Sequence, residues 1–275
     1  MSLSISDRTE LNNGIKIPNM GFGTYNLIPD SKAKEAVLTA LEAGYRHIDT
    51  ASSYGNEKGV GDAARESGIQ RNEIFITTKV ANDDQGYELT YHAFETSLAN
   101  LKTDYIDLYL IHWPVTGLRS DTWKALTELV QFKTCKAIGV SNYTIRHLKE
   151  LFRESDIRPV VNQVEFNPFI YQQELLDFCY ENNIQLEAYT PLARNHKADH
   201  PLFGELSKKY SKSPAQIMIR WCLQHKVVVI PKSGDRKRIY ENADVFDFDI
   251  SGEDMQRLNK LNEGYRASMD PEEFK

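Results

Sequence analysis

Short runs of β-branched and aromatic residues alternate along this chain with segments whose apolar positions recur every three to four residues. Ala33, Ala36, Val37, Ala40 and Leu41 form one helical stripe, and Gly44 follows it as a C-cap signal. Beyond it the pattern predicts strand 46–49, a helix over about 57–67, strand 74–79, a helix over about 89–101 and strand 105–112. Trp123, Leu126 and Val130 mark the next helix, 137–140 a strand, and Ile145, Leu148 and Phe152 its helix. Strand 160–166, a helix marked by Leu175, Leu176 and Cys179, strand 186–189, a helix over about 214–225 and strand 227–230 complete the series. The first strand, near Met20 to Gly23, carries the faintest signal. Val227 to Ile230 is apolar throughout, which implies burial on both faces.

Eight such β/α units predict an α/β protein, a (β/α)8 TIM barrel, as a single domain over 1–275. Thr9 to Ile17, centred on Asn13-Gly14, predicts an N-terminal β-hairpin with a tight turn, expected as a plug under the barrel. An extra amphipathic C-terminal helix is expected over 251–262, followed by a tail.

Composition narrows the function classes. The 275 residues carry a net charge of −6, which disfavours nucleic acid or an anionic membrane as a general partner. Cys135, Cys179 and Cys222 are odd in number and form no CxxC, as expected of reduced thiols in a cytoplasmic protein. No basic-then-apolar leader opens the chain, and no apolar run approaches the roughly 18 residues of a membrane span. The sequon at Asn142 therefore carries no weight.

Several short motifs have bland explanations. Gly59-x-Gly61-x-x-Ala64 matches a dinucleotide fingerprint, but no strand precedes it, and close helix packing is the expected reason for its glycines. Gly139-Val140-Ser141 lacks the second glycine of a nucleophile elbow, and no metal-ligand spacing occurs. Asp49, Tyr54, Lys79 and His112 are different, because they fall at or just after successive strand ends, which converge on one rim of a barrel. Singly, Asp49 is a helix cap, Tyr54 a loop aromatic and His112 a core histidine. Together they suit protonation of a carbonyl oxygen: Lys79 is expected to lower the phenol's pKa, Asp49 to keep Lys79 charged, and His112 to orient the carbonyl. Ile230-Pro231-Lys232-Ser233, leading to Arg238, Glu241 and Asn242, has the position and charge of a phosphate site, with a solvated basic patch as the alternative. Tyr189 is either rim packing or a stacking platform, and Ser141, Asn142 and Gln163 either loop caps or partners for a carboxamide.

These residues lie in longer matches. Gly21-Phe22-Gly23-Thr24, Gly44 to Ala51 with Tyr54, Asp107 to Pro114, Gly139 to Asn142, Asn162-Gln163 and Ile230 to Ser233 resemble the aldo-keto reductase family, specifically its compact microbial and protozoal branch. That branch includes 2,5-diketo-gluconate reductases, glyoxal reductases and prostaglandin F synthases. The resemblance implies NADPH-dependent reduction of a small carbonyl compound by a monomer, with NADH as a weaker cofactor and no metal. It puts Asp49, Tyr54, Lys79 and His112 on the catalytic tetrad, Tyr54 being the general acid. It puts Tyr189 against nicotinamide, and Ser141, Asn142 and Gln163 on its carboxamide. Lys232, Ser233 and Arg238 fall on the 2′-phosphate site, and Glu241 and Asn242 on adenine contacts. Gly23, Thr24, Thr190, Pro191 and Leu192 fall among further cofactor contacts, and Tyr25 and Trp113 join Tyr54 and His112 on the substrate side. Tyr25, Ala81, Asp235 and Asn167 depart from the family pattern; Asp235 is expected to weaken NADPH binding unless it points away. A cofactor-loaded sensor with little turnover and an aldolase using Lys79 as a Schiff base are the competing classes.

Overall fold

The computed structural model describes residues 4–273. Its strands are β1 (Arg8–Glu10), β2 (Lys16–Pro18), β3 (Phe22–Gly23), β4 (His47–Asp49), β5 (Phe75–Val80), β6 (Leu108–Ile111), β7 (Ile138–Ser141), β8 (Val161–Glu165), β9 (Gln185–Tyr189) and β10 (Val228–Val229). Its helices are α1 (Asp30–Glu42), α2 (Glu57–Glu66), α3 (Tyr87–Leu101), α4 (Arg119–Gln131), α5 (Ile145–Glu154), α6 (Gln173–Glu181), α7 (Pro201–Tyr210), α8 (Pro214–Gln224), α9 (Arg236–Ala243) and α10 (Gly252–Asn259).

Strands β3 to β10 form one eight-stranded sheet in chain order, each parallel to the next. The sheet closes where Gly21 N–H donates to Val229 O at 2.9 Å and Val229 N–H to Asn19 O at 3.1 Å. Β-branched and aromatic strand residues such as Ile48, Ile76, Tyr109 and Val164 are buried against apolar helix stripes, among them Val37, Phe94, Trp123 and Trp221. No helix among the described residues is long and apolar enough to cross a membrane.

The N-terminal hairpin is β1 paired antiparallel with β2. Leu11 N–H donates to Ile15 O at 2.8 Å, and Gly14 takes φ 82°, where a glycine avoids the Cβ clash. Leu11 and Ile17 pack with Phe75, Leu108, Ala137 and Val160, all at the N-terminal ends of the barrel strands. Asn12 Nδ2 donates to Pro159 O and Asn183 O, both at 3.1 Å, so the hairpin is fastened beneath the barrel as expected.

Most predicted elements lie within a few residues of their expected bounds. The predicted strand 105–112 shortens to β6 because Tyr105 to Asp107 turn to bind Arg71 and the backbone of Ile76. Helix α10 starts at an Ser251 cap and stops before 262. Helix α7 was not expected. Its signal is a proline at the first turn and the buried pair Phe203 and Leu206, too short a stripe to separate from the preceding loop. The fingerprint-like glycines belong to α2: a Cβ on Gly61 would lie 2.3 Å from Leu101 O, so close helix packing explains them.

Candidate active site

Side chains from the C-terminal ends of β4, β5, β6, β7, β8 and β9 meet on one rim. Lys79, completely buried, donates to both Asp49 oxygens at 2.7 and 2.9 Å and to Thr50 O at 2.9 Å. Its Nζ also lies 3.5 Å from the Tyr54 hydroxyl. The phenol arrives there on a single 3-10 turn, Ser52–Tyr54, whose Ser52 hydroxyl donates to Lys79 O at 2.9 Å. Asn56 fixes the turn's far side: it accepts from Thr50 Oγ1 and donates to Thr24 O and Leu27 O. Tyr54 packs edge-on against Tyr25 at 5.1 Å and against His112 at 5.6 Å between ring centroids.

Burial decides much of the electrostatics. It would strip Lys79 of its proton, but the Asp49 carboxylate, the Tyr54 phenol and Glu187 together hold its pKa above the ordinary value. Burial also pushes Asp49 up against the pull of Lys79 and Gln163. His112 is driven down to about 3, first by burial and then by Lys79, so the ring is neutral at physiological pH. Ser53 Oγ lies 3.3 Å from its Nδ1; with the serine donating, the hydrogen rests on Nε2. The expected lowering of the Tyr54 pKa does not occur. Desolvation outweighs the nearby ammonium, and the phenol sits above its ordinary value.

The residues matched to a nicotinamide site are collected at the same rim but tied to one another. Gln163 donates to Asp49 Oδ2 at 2.7 Å, and the Ser141 hydroxyl donates to Gln163 O at 2.9 Å. Asn142, at φ 65°, donates to His112 O and accepts from the Tyr189 hydroxyl at 2.7 Å. Thr24 donates to Asp49 O, and Gly23 pairs with Asp49 of β4 while lying so close to the segment after β10 that a Cβ on it would be 3.0 Å from Ile230 O. Thr190, at φ 50°, Pro191 and Leu192 follow β9 on this rim, and Asn167 Nδ2 holds Thr190 O at 3.1 Å. Gln85 Nε2 holds Trp113 O at 2.7 Å.

The basic segment follows β10. Among the described residues Lys232 and Arg238 are exposed and make no ion pair, whereas Arg236 is taken by Glu42. Two uncommitted cations beside the buried Ser233 are a donor set that fits a phosphate monoester. Asp235, itself exposed, caps α9: its carboxylate accepts from Arg238 N–H at 3.0 Å. Glu241 and the buried Asn242 lie one turn further along α9.

Four residues at the rim or in the barrel interior below it were missed. Glu165 and Ser268 join the C-terminal tail to Tyr189. Beneath Asp49, Glu187 is fully buried, and neither carboxyl oxygen has a hydrogen-bond partner among the described residues. Burial and the Asp49 charge raise it to about 8, so it keeps its proton at neutral pH. His47 Nε2, 3.6 Å away, is held down at about 3 by burial. The alternation of His47 with Asp49 and of Glu187 with Tyr189 was a readable signal that both acidic and basic groups enter the barrel interior.

Comparison with known proteins agrees with this geometry. The Aldo/keto reductase family model matches residues 19–263, and the chain belongs to that family of oxidoreductases. It is 48% identical over 274 residues to the glyoxal reductase of Bacillus subtilis, covering 100% of this chain and 99% of the relative. It is 48% identical over 267 residues to the 9,11-endoperoxide prostaglandin H2 reductase of Trypanosoma cruzi, covering 96% and 94%. The crystal structure of a Bombyx mori aldo-keto reductase in complex with NADP superposes with a TM-score of 0.90 at 34% identity, over 96% of this chain and 95% of that one.

Proposed function

We propose that this aldo/keto reductase uses NADPH to reduce aldehydes and ketones, with small dicarbonyls, sugar-derived carbonyls and aromatic carbonyls as the substrate class. The observation that carries the reading is a buried Asp49–Lys79 pair whose ammonium lies 3.5 Å from a phenol at an aromatic-lined rim. NADPH, when bound, supplies the hydride that the reaction requires. Lys232, Ser233 and Arg238 would hold its 2′-phosphate, Tyr189 its nicotinamide ring, and Ser141, Asn142 and Gln163 its carboxamide.

Tyr54 is the proton donor. Its raised pKa keeps the phenol protonated, and an alkoxide is a strong enough base to take that proton. Lys79 stabilises the phenolate left behind, and Asp49 and Thr50 O aim the ammonium. Neutral His112 offers an N–H to the carbonyl oxygen and fixes its direction. Tyr25, exposed at 57%, and Trp113 flank the approach and suit a planar or apolar substituent. A Schiff-base role for Lys79 is disfavoured, because two carboxylate bonds keep the amine protonated. The three buried free cysteines suit a reducing compartment such as the cytoplasm.

The test is turnover of NADPH and of NADH with a panel of aldehydes, dicarbonyls, sugars and quinones, using the parent and Tyr54→Phe. We expect NADPH-linked reduction, and a fall of about 10²- to 10⁴-fold in Tyr54→Phe with NADPH still bound. A parent that binds NADPH yet turns over nothing in the panel is a sensor, and unchanged turnover in Tyr54→Phe removes the phenol from the chemistry.

A further inference from the structure

Tyr189 has one hydroxyl proton and two neighbours that could receive it. Asn142 Oδ1 lies at 2.7 Å and Ser268 Oγ at 2.9 Å. The direction of the Asn142 amide is settled independently. Its Nδ2 faces His112 O at 2.9 Å and Ser141 Oγ at 3.1 Å, and the Ser141 proton is already given to Gln163 O. The Asn142 oxygen is therefore an acceptor that faces Tyr189.

Ser268 is similarly constrained from its other side. Glu165, at the end of β8 and only 1% exposed, accepts from Ala267 N–H at 2.8 Å, from Ser268 N–H at 3.1 Å and from the Ser268 hydroxyl. A carboxylate accepts only, so the Ser268 proton belongs to Glu165, and Ser268 Oγ keeps its lone pairs for Tyr189. A hydroxyl that already donates to a charge is the better acceptor, because each bond in such a chain polarises the next. The tail that carries Ser268 is itself fastened: Glu263 N–H and Tyr265 N–H reach Phe169 O, and Glu272 pairs with Arg146 at 2.8 Å.

We propose that Ser268 is a positioning residue for the nicotinamide: by offering the Tyr189 proton a second acceptor, the Ser268–Glu165 pair lets Tyr189 turn from Asn142 Oδ1 when the cofactor binds and leaves that oxygen to an N–H of the nicotinamide carboxamide. This rests on the cofactor reading above and adds the C-terminal tail to the cofactor site. Without the Ser268 hydroxyl, the Tyr189 proton has only Asn142 left, and the carboxamide N–H must share that oxygen with it, which weakens its bond. The loss is one hydrogen bond at one end of the dinucleotide, and the adenosine end is untouched.

Three probes separate these cases by calorimetric or fluorescence titration of the full chain. NADP+ reports both ends, 2′,5′-ADP reports the adenosine end alone, and the 3-acetylpyridine analogue of NADP+ keeps the ring and carbonyl but has no amide N–H. In Ser268→Ala we expect NADP+ to bind roughly three- to tenfold more weakly, the worth of one hydrogen bond. Binding of 2′,5′-ADP should stay within about twofold and the acetylpyridine analogue should lose less than NADP+. Ser268→Thr, which restores the hydroxyl, should recover the parental ratio of NADP+ to 2′,5′-ADP affinity. Equal losses for all three ligands, or NADP+ affinity unchanged in Ser268→Ala, overturns the proposal while leaving the cofactor reading intact. A parent that binds neither NADP+ nor 2′,5′-ADP removes the cofactor reading and the proposal together.

Discussion

Replacing Lys79 with methionine keeps a long unbranched side chain and removes the ammonium. Asp49 is 2% exposed and would lose both lysine bonds, at 2.7 and 2.9 Å, keeping the 2.7 Å bond from Gln163. Removing one partner of a buried ion pair costs about 3–5 kcal/mol, because the other charge stays behind uncompensated. At about 2–4 °C per kcal/mol for a chain of this size, Lys79→Met should melt about 6–20 °C below the parent. The deficit should depend on pH. Burial already pushes the Asp49 pKa up, and without the lysine's opposing pull it rises further. A carboxyl whose folded pKa exceeds its unfolded value contributes its full share below the unfolded pKa and loses it as pH rises through the folded one. The gap between variant and parent should therefore widen from pH 5 to pH 8. Adding Asp49→Asn should recover much of the stability, since no buried charge remains, while turnover stays lost. Thermal melts by circular dichroism at both pH values decide the matter. A variant that melts within about 2 °C of the parent at pH 8, or a gap that narrows as pH rises, refutes the assignment of Lys79 and Asp49 as a buried charged pair.

Two further outcomes follow from the same electrostatics. Lys232→Ala should weaken NADPH roughly 10- to 100-fold, the range of a charged hydrogen bond, with little change for NADH; equal losses would remove Lys232 from the 2′-phosphate site. His47 and His112 both have folded pKa values of about 3, so at these two sites the unfolded chain binds more protons below about 6.5, and their share of the stability falls as pH falls there. Each histidine costs up to about 1.4 kcal/mol per pH unit in that window, opposed by Glu187, whose raised pKa adds stability as pH falls; an NMR titration in which either ring takes up its proton above pH 5 in the folded chain would contradict the assignment.

The alternating pattern made the barrel legible because each parallel strand is buried on both faces and each helix carries one apolar stripe. Asp49, Lys79 and His112 were legible because strand ends on one rim must converge. The Lys79–Tyr54 approach at 3.5 Å followed from that convergence, but the sign of the Tyr54 shift did not. Spacing shows which charges are neighbours, whereas desolvation depends on how completely Tyr25, His112 and the strand ends enclose the ring. Asp235 looked like a rival to a phosphate, and only the turn geometry reveals it as the cap of α9. Glu165 and Ser268 were illegible for a similar reason. Their bond spans the chain from the end of β8 to the tail, and no periodicity connects residues that far apart.

The hairpin beneath the barrel decides from which side the polar cluster is approached. Leu11 and Ile17, packed against Phe75, Leu108 and Val160, cover the N-terminal ends of those strands, so a ligand meets Asp49, Lys79 and Tyr54 from the opposite rim.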